Sequence, residues 1–285
     1  MTKIDLHMHS NHSDGEFSPR ELIEIVHKKG ISAMAITDHD IATANKEAEV
    51  YAREKGIEYI SGIEITVTPP EEVKEIHIVG LFINSENEEI KEIHDRHKKY
   101  AIETAEQIIN KLNKLGYNIS FEELVNETKG EHFGRPFIAK ILMKKYPEKF
   151  LDRSQVFDEL LGKNGKAFVL PKGTDLKEAI KIIHNAKGIA IVAHPWYLGE
   201  SMIKILEKFV SFGGDGIEID YSPKDSIPED TRKKLENFAE INNLIISGGT
   251  DFHKFEEQGK EIGDRGISEK EFLKLKEYHL KNGKL

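Results

Sequence analysis

Short apolar segments alternate with amphipathic segments along most of this chain, and that alternation restricts the fold more than any other feature of the sequence. The first unit runs from "KIDLHMH", which predicts a strand, through "SPRELIEIVHKKG", which predicts a helix, to the apolar strand "ISAMAIT". Ser18 and Glu21 form a predicted capping box, and Pro19 stands at the first helical position. Repeated strand–helix units of this kind predict an α/β fold with a mainly parallel sheet or barrel.

A helical region interrupts the alternation in the middle of the chain. The segment from about residue 86 to 116 is rich in charged residues and has apolar residues at near-helical spacing, which predicts a long helix. The segments "SFEELVNETKG" and "GRPFIAKILMKKYPEKF" predict two further helices. Strand-like sequence returns only at "KAFVLP". We therefore predict that residues 1–97 and 168–285 form an α/β barrel and that residues 98–167 form a helical insertion covering the active-site face.

The bulk composition narrows the range of functions. The 285 residues are 38% hydrophobic and 32% charged, which is typical of a globular protein with a sizeable core. A formal net charge of −9 argues against a broad basic surface for duplex nucleic acid, although it leaves room for a local cationic pocket. Because the chain contains no cysteine, a metal site must use nitrogen and oxygen ligands.

Targeting signals are not evident in the sequence. No apolar run approaches the length of a membrane span, and the first residues predict a strand rather than a signal peptide. We therefore expect a cytoplasmic protein without a membrane partner. The oligomeric state is left open by the sequence.

Ionisable side chains gather at the ends of the predicted strands. The carboxyl ends of parallel strands converge on one face, so residues far apart in the sequence would meet there. Side chains at positions i and i+2 of a strand project to the same side, so His7 and His9 can face one cation together, and Asp251 and His253 repeat this spacing. The strand-end candidates are His7, His9, Asp38, His39, Asp40, Glu64, His77, His194, Asp251 and His253.

This set of side chains has the chemistry of a metal centre. Imidazole and carboxylate ligands suit zinc, manganese and iron, and the set holds more ligands than one ion needs. Two or three ions that share Glu64 as a bridge would use them all. Burying so many polar groups without a partner would cost about 2 kcal/mol or more for each group, and a bound ion removes that penalty.

The ordered motifs resemble those of the PHP (polymerase and histidinol phosphatase) superfamily of metal-dependent phosphoesterases. The matching segments are "DLHMHSNHSDG", "AITDHD", "GIEIT", "IHIVGLF", "VAHP" and "GGTDFH", and they span roughly residues 3–255. The insertion with "FGRP" is similar to the branch that contains nucleoside 3′,5′-bisphosphate phosphatases and 5′→3′ oligoribonucleases. The resemblance implies a distorted (β/α)7 barrel with a trinuclear centre of divalent ions, which would be Mn²⁺, Zn²⁺ or Fe²⁺.

The resemblance also implies a role for each ligand. The first ion would be held by His7, His9, Glu64 and Asp251, the second by Glu64, His77 and His194, and the third by Asp14, His39 and His253. Asp14 is preferred to His12 because it stands at the metal position of the "HSxxSDG" pattern. His12 is then a rim residue that contacts the substrate.

The predicted reaction is hydrolysis of a phosphomonoester, or of the terminal linkage of a short oligonucleotide, by attack of a metal-activated hydroxide. Glu64, Asp251 and Arg135 are the predicted catalytic residues, and guanidinium chemistry suits Arg135 to clamp a phosphate. Lys172 is a second candidate phosphate contact. Relatives commonly have "GRPH" where this chain has "GRPF", with Phe137 in place of the histidine. The function of that histidine is therefore either absent from this chain or performed by His132.

Two alternative functions remain at this stage. A histidinol-phosphatase-type enzyme would use the same metals on a small phosphorylated substrate, and the "GRP" insertion argues against it. A non-catalytic metal- or nucleotide-binding regulator would be expected to lack a ligand, whereas this chain retains all nine.

Overall fold

The computed structural model describes residues 4–73, 75–128, 133–221, 227–255 and 261–282. The chain divides into two compact units. The barrel unit comprises Met1–Thr68, Glu75–His94 and Thr174–Leu285, and the insertion unit comprises Pro69–Lys74 and Asp95–Gly173.

Seven strands form one sheet whose spatial order follows the sequence. β4 is antiparallel to both of its neighbours, and the other four ladders are parallel. The two edges approach each other, because the Leu6 amide donates to the Gly248 carbonyl at 3.2 Å and the Asp251 amide donates to the His7 carbonyl at 2.8 Å. The sheet is therefore a nearly closed mixed barrel. Its strands are β1 (Ile4–Asp5), β2 (Ala33–Ile36), β3 (Glu58–Val67), β4 (Ile76–Leu81), β5 (Ile189–Val192), β6 (Gly216–Tyr221) and β7 (Ile245–Gly249).

Ten α-helices lie within the described residues. The predicted capping box of the first helix is confirmed, since the Ser18 amide donates to Glu21 Oε2 at 2.8 Å and the Glu21 amide donates to Ser18 Oγ at 3.4 Å. The helices are α1 (Pro19–Lys28), α2 (Ala44–Glu54), α3 (Glu88–Lys114), α4 (Phe121–Thr128), α5 (Arg135–Lys145), α6 (Arg153–Val156), α7 (Leu176–Asn185), α8 (Met202–Ser211), α9 (Glu229–Ile241) and α10 (Glu269–Lys281). Across the described residues, no helix combines the length and the apolarity that a membrane crossing needs.

Each unit has its own apolar core. The barrel interior is filled by side chains from alternate strand positions, among them Leu6, Val79 and Ile191. The insertion unit buries a separate cluster that includes Leu112 and Leu142. Apolar residues at alternate strand positions thus form the core of the barrel unit, and apolar residues at helical spacing form the core of the insertion unit.

Two expectations about secondary structure are wrong. "KAFVLP" forms no strand, because the chain turns there: the Lys166 and Ala167 amides donate to the carbonyls of Glu159 and Leu160. The first strand is also shorter than predicted. Beyond Asp5 the backbone forms hydrogen bonds with Gly248 and Asp251, in and after β7. It also accepts one at the Met8 carbonyl from the Thr37 amide, at 2.8 Å.

Helix α10 was not predicted from the sequence. Its start carries the same signal as α1, since Ser268 and Glu271 form a second capping box. Phe272 and Leu275 from this helix pack into the barrel core.

Candidate metal centre

Glu64 is the centre of a buried cluster of histidines in the barrel unit. Its Oε2 atom lies 3.2 Å from His7 Nε2, from His9 Nε2 and from His39 Nδ1. Its Oε1 atom lies 3.2 Å from His77 Nδ1 and 3.1 Å from His194 Nε2. Five imidazoles that come from widely separated parts of the sequence therefore face one carboxylate.

The strand ends produce this convergence through local backbone geometry. The His39 and Glu64 backbones form a parallel bridge beyond the end of β2. His194 and Asp251, which follow β5 and β7, have positive φ angles of 31° and 52°. A left-handed residue reverses the path of the chain, which is uncommon outside glycine and is frequent at functional sites. These turns end β5 and β7 close to the points where the His194 and Asp251 side chains enter the cluster.

The ligand atoms fall into three groups that could each hold an ion, with the atoms of each group within 4.8 Å of one another. The first group contains the four residues predicted for the first ion. The second contains Glu64 and His77 together with His39, while the predicted His194 lies beside it, with Nε2 3.3 Å from His77 Nδ1. The third contains the predicted Asp14, His39 and His253 and adds His9. The groups are His7, His9, Glu64 and Asp251; His39, Glu64 and His77; and His9, Asp14, His39 and His253.

His9 stands between the first and third groups. Its Nε2 lies 3.3 Å from Asp251 Oδ1, while its Nδ1 lies 3.8 Å from Asp14 Oδ1. Because a neutral imidazole has one nitrogen lone pair to give, His9 can contribute a ligand atom to only one of the two groups. For the same reason His39 can contribute a ligand atom to only one of the two groups that contain it.

The cluster fits divalent ions by the chemistry of its unsatisfied atoms. Among the described residues, His9 Nδ1, His39 Nδ1 and Glu64 Oε2 are buried and form no hydrogen bond of good geometry, although the Glu64 oxygen lies close to three imidazoles. Such atoms are rare in folded proteins because leaving them unpaired is unfavourable. All three are nitrogen or oxygen donors of the kind that zinc, manganese and iron bind, and so the site can hold divalent metal ions.

Without ions, the electrostatics of the cluster favour bound protons. Burial lowers the pKa of His9, but the Asp251 and Glu64 carboxylates beside its ring stabilise the protonated form, outweigh burial and raise that pKa to about 10. For His77, burial is likewise outweighed by Glu64, and the pKa is raised to about 9. Burial dominates at His39 and lowers its pKa to about 4. At Glu64, burial favours the neutral acid, but the surrounding histidines outweigh it and hold the pKa of this carboxyl well below its usual value.

Asp14 and His12 lie on the loop between β1 and α1. The exposed Asp14 side chain places Oδ1 3.3 Å from His253 Nε2. His12 is partly exposed, and its Nδ1 lies 2.7 Å from the hydroxyl of Thr43, next to the start of α2. Asp38 fixes this loop by accepting hydrogen bonds from the Ser10 amide and from the Ser13 hydroxyl at 2.6 and 2.8 Å.

The remaining predicted substrate contacts belong to the insertion unit. Arg135 is the first residue of α5, where it donates to the Leu161 carbonyl at 3.3 Å and lies over the ring of Phe168. Lys172 pairs with Glu103 at 2.7 Å. His132 lies outside the described residues.

Two buried carboxylates beside the cluster were not predicted as site residues. Glu218 Oε1 lies 2.9 Å from His7 Nδ1. Asp5 accepts hydrogen bonds from the Thr250 amide and hydroxyl at 2.9 and 2.7 Å, and burial raises its pKa to about 6. Each is an acidic residue flanked directly by apolar residues, in "KIDLH" and "GIEID", a pattern that signals burial but not the partner.

Comparison with known proteins settles the family. A model of the PHP domain matches residues 5–191, more than half of the chain. The chain belongs to the PHP domain family. It is 35% identical over 254 residues to the 5′-3′ exoribonuclease of Haemophilus influenzae, an alignment that covers 88% of this chain and 90% of the relative. It is 29% identical over 275 residues to the 3′,5′-nucleoside bisphosphate phosphatase of Chromobacterium violaceum, covering 92% and 91%. These names match the predicted branch of the family.

Solved structures confirm the PHP fold. The chain superposes with a TM-score of 0.77 and 26% identity on an amidohydrolase from Chromobacterium violaceum that was solved with bound sulfate and no metal, covering 97% of this chain and 96% of that one. A structure from Bifidobacterium adolescentis, with a TM-score of 0.76 and 23% identity, agrees in fold. The predicted distorted (β/α)7 barrel with a helical insertion is therefore confirmed.

Proposed function

We propose that this PHP-domain protein is a metal-dependent phosphoesterase acting on a nucleotide, either a nucleoside 3′,5′-bisphosphate or the terminal linkage of a short oligonucleotide. The names of the two relatives support this substrate class, since one is an exoribonuclease and the other a bisphosphate phosphatase. Both activities break a phosphate ester of a ribose, and a single centre for phosphoryl chemistry can serve either.

The convergence of five imidazoles on Glu64 carries this proposal. We assign three divalent ions to the site, of manganese, zinc or iron, because three groups of ligand atoms surround Glu64 and His9. The proposed ligands are His7, His9, Asp14, His39, Glu64, His77, His194, Asp251 and His253. Ions bound there would lower the pKa of a water molecule and neutralise charge on a phosphoryl oxygen.

Two carboxylates of the protein, Glu64 and Asp251, would position the ligands and balance the charge of bound ions. Glu64 is fully buried, and its two oxygens hold histidines on opposite sides of the cluster in fixed positions. The Asp251 side chain is 12% exposed and faces both His7 and His9, which places it at the boundary between the cluster and solvent, where a phosphate would arrive. The acidic groups balance part of the charge that several divalent ions bring.

We also propose that Arg135 binds a substrate phosphate. A guanidinium at the first turn of a helix can contact a phosphate through two parallel hydrogen bonds. Lys172, His132 and His12 remain further candidates for substrate contacts. The Lys172 ammonium is paired with Glu103, so it would have to exchange that partner for the substrate.

A substrate panel combined with metal analysis tests the proposed function. The purified protein is stripped with a chelator, reloaded separately with Mn²⁺, Zn²⁺ and Fe²⁺, and assayed with adenosine 3′,5′-bisphosphate, a 5′-phosphorylated short oligoribonucleotide and histidinol phosphate. We expect metal-dependent release of phosphate or mononucleotide from one of the first two substrates. Preferential turnover of histidinol phosphate would favour the small-molecule alternative, and absence of any turnover by a fully loaded protein would favour a regulator.

Glu64→Gln is the decisive variant for the same assay. It keeps the size of the side chain but removes the charge that five imidazoles face, so bound metal and activity should both be lost. Glu236→Gln on the exposed side of α9 changes the same functional group in a salt bridge with Arg232 and should leave both unchanged.

A further inference from the structure

Glu218 is a buried carboxylate that belongs to none of the three ligand groups. It lies on β6, within the parallel β5–β6–β7 part of the barrel, and only 1% of the residue is exposed. A buried carboxylate is unfavourable unless it is paired or accepts hydrogen bonds. The two groups that face it both belong to proposed metal ligands.

The first partner is the ring of His7. Glu218 Oε1 lies 2.9 Å from His7 Nδ1, whereas His7 Nε2 lies 3.2 Å from Glu64 Oε2 on the other side of the ring. An ionised carboxylate can only accept, so Nδ1 must carry the proton of a neutral His7. The lone pair is then on Nε2, which points toward Glu64, His9 and Asp251, where an ion would lie.

The second partner is the backbone of His194. The His194 amide donates to Glu218 Oε2 at 2.8 Å. This amide belongs to the residue with φ 31° and ψ 56°, the left-handed turn that brings His194 Nε2 to 3.1 Å from Glu64 Oε1. One carboxylate thus fixes the ring of a ligand after β1 and the backbone of a ligand after β5.

We propose that Glu218 is a positioning residue that selects the Nδ1-protonated form of His7 and holds the His194 turn, so that the two sides of the cluster are set together. The proposal rests on the proposed function, because it assumes that His7 and His194 bind divalent ions. It assigns to Glu218 no contact with the substrate or with an ion.

The two contacts make a specific demand on the side chain at this position of β6. Both partners are donors, so the side chain must provide two acceptors. Glu218→Gln keeps the size of the side chain but leaves one acceptor oxygen and one NH₂ group, which would face a second donor. Glu218→Asp keeps both acceptors but makes the side chain one methylene too short to reach both partners.

Zinc and manganese affinity of the full-length protein tests the proposal without relying on activity. We expect Glu218→Gln to weaken ion binding by about 10- to 100-fold by calorimetry, the usual effect of losing a hydrogen-bond partner of a metal ligand. Glu218→Asp should give a smaller loss in the same direction. Asp215→Asn is the matched control, since Asp215 is also buried and accepts from the Ala190 amide at 2.7 Å and the Tyr278 hydroxyl at 2.9 Å, in a separate network before β6. It should lower thermal stability and leave ion affinity unchanged.

A measurement on the unaltered protein keeps the proposal testable if the Glu218 variants do not fold. In the zinc-loaded protein with ¹⁵N-labelled histidine, NMR spectra should show His7 protonated on Nδ1 and bound to zinc through Nε2. The opposite tautomer, or wild-type ion affinity in a folded Glu218→Gln protein, would overturn the role of Glu218. If the wild-type protein itself bound no divalent ion, the proposed function would fail instead, and the two failures are therefore distinguishable.

Discussion

Glu64 and His77 meet across the antiparallel β3–β4 ladder. His77 pairs with Thr66, two residues beyond Glu64 on the same side of the strand, and His77 Nδ1 lies 3.2 Å from Glu64 Oε1. The reversal of β4 is therefore part of the site, because it supplies a ligand from inside the strand rather than from a loop that follows it.

His77→Ala should remove one ligand without disturbing the core of the barrel. We expect the variant to bind fewer ions per chain and to lose roughly 100-fold or more in kcat/KM, since losing a ligand should exceed the effect of losing a partner of a ligand. Elemental analysis and steady-state kinetics measure the two effects. His27→Ala on the exposed face of α1 is the control and should match the wild-type protein in both. A full complement of ions in His77→Ala would remove His77 from the ligand set.

Much of this arrangement could be predicted from the sequence, for physical reasons that concern particular residues. The i, i+2 spacing of His7 and His9 predicts that both project to the same side, and the apolar run before each strand-end residue predicts that this residue is buried. The direction of β4 could not be read in this way, because hydrophobic alternation is the same for parallel and antiparallel strands. Glu218 was missed because an acid between two apolar neighbours does not reveal which side chain it will face across the barrel.

Arg135→Lys tests the proposed phosphate clamp. Lysine keeps the positive charge but cannot form two parallel hydrogen bonds, so KM for the nucleotide substrate should rise by about tenfold, with a smaller effect on kcat. Arg135→Ala should raise KM further. Lys140→Met, on the following turn of α5, removes a charge paired with Glu127 and should change KM little. Unchanged kinetics in both Arg135 variants would exclude a substrate contact there.

Metal binding should release protons from the ion-free protein near neutral pH. The folded-state pKa values of His9 and His77, about 10 and about 9, lie above the ordinary histidine value of 6.5, so both rings hold protons that an ion must displace. We expect the release of at least one proton per chain at pH 7.5, measured by calorimetry in buffers of different ionisation enthalpy. Identical heats in all buffers would contradict this.

The same two pKa values predict the pH dependence of ion-free stability. Because both are raised in the folded state, their contribution is fully present below about pH 6.5 and is lost as the pH rises through about 9 and 10. Thermal unfolding of the chelator-treated protein should therefore show a decreasing Tm between pH 6.5 and 10. The Tm of the metal-loaded protein should change less over this pH range, since its histidines are already deprotonated. An equal dependence of Tm on pH in both forms would argue against bound protons in the cluster.

Gly249→Ala should damage the metal centre through the backbone. A Cβ atom at this position would lie 2.4 Å from His7 N and 2.5 Å from His7 Cβ, so β1 and β7 could not keep their present distance. We expect a loss of about 1–3 kcal/mol in the free energy of unfolding, together with weaker ion binding because His7 is displaced. Gly30→Ala is the matched control, since its φ of 71° makes alanine unfavourable although no atom lies within 4 Å of the added Cβ. It should lower stability by about 1 kcal/mol and leave ion affinity unchanged. Equal ion affinity in the two glycine variants would show that the β1–β7 contact does not position His7.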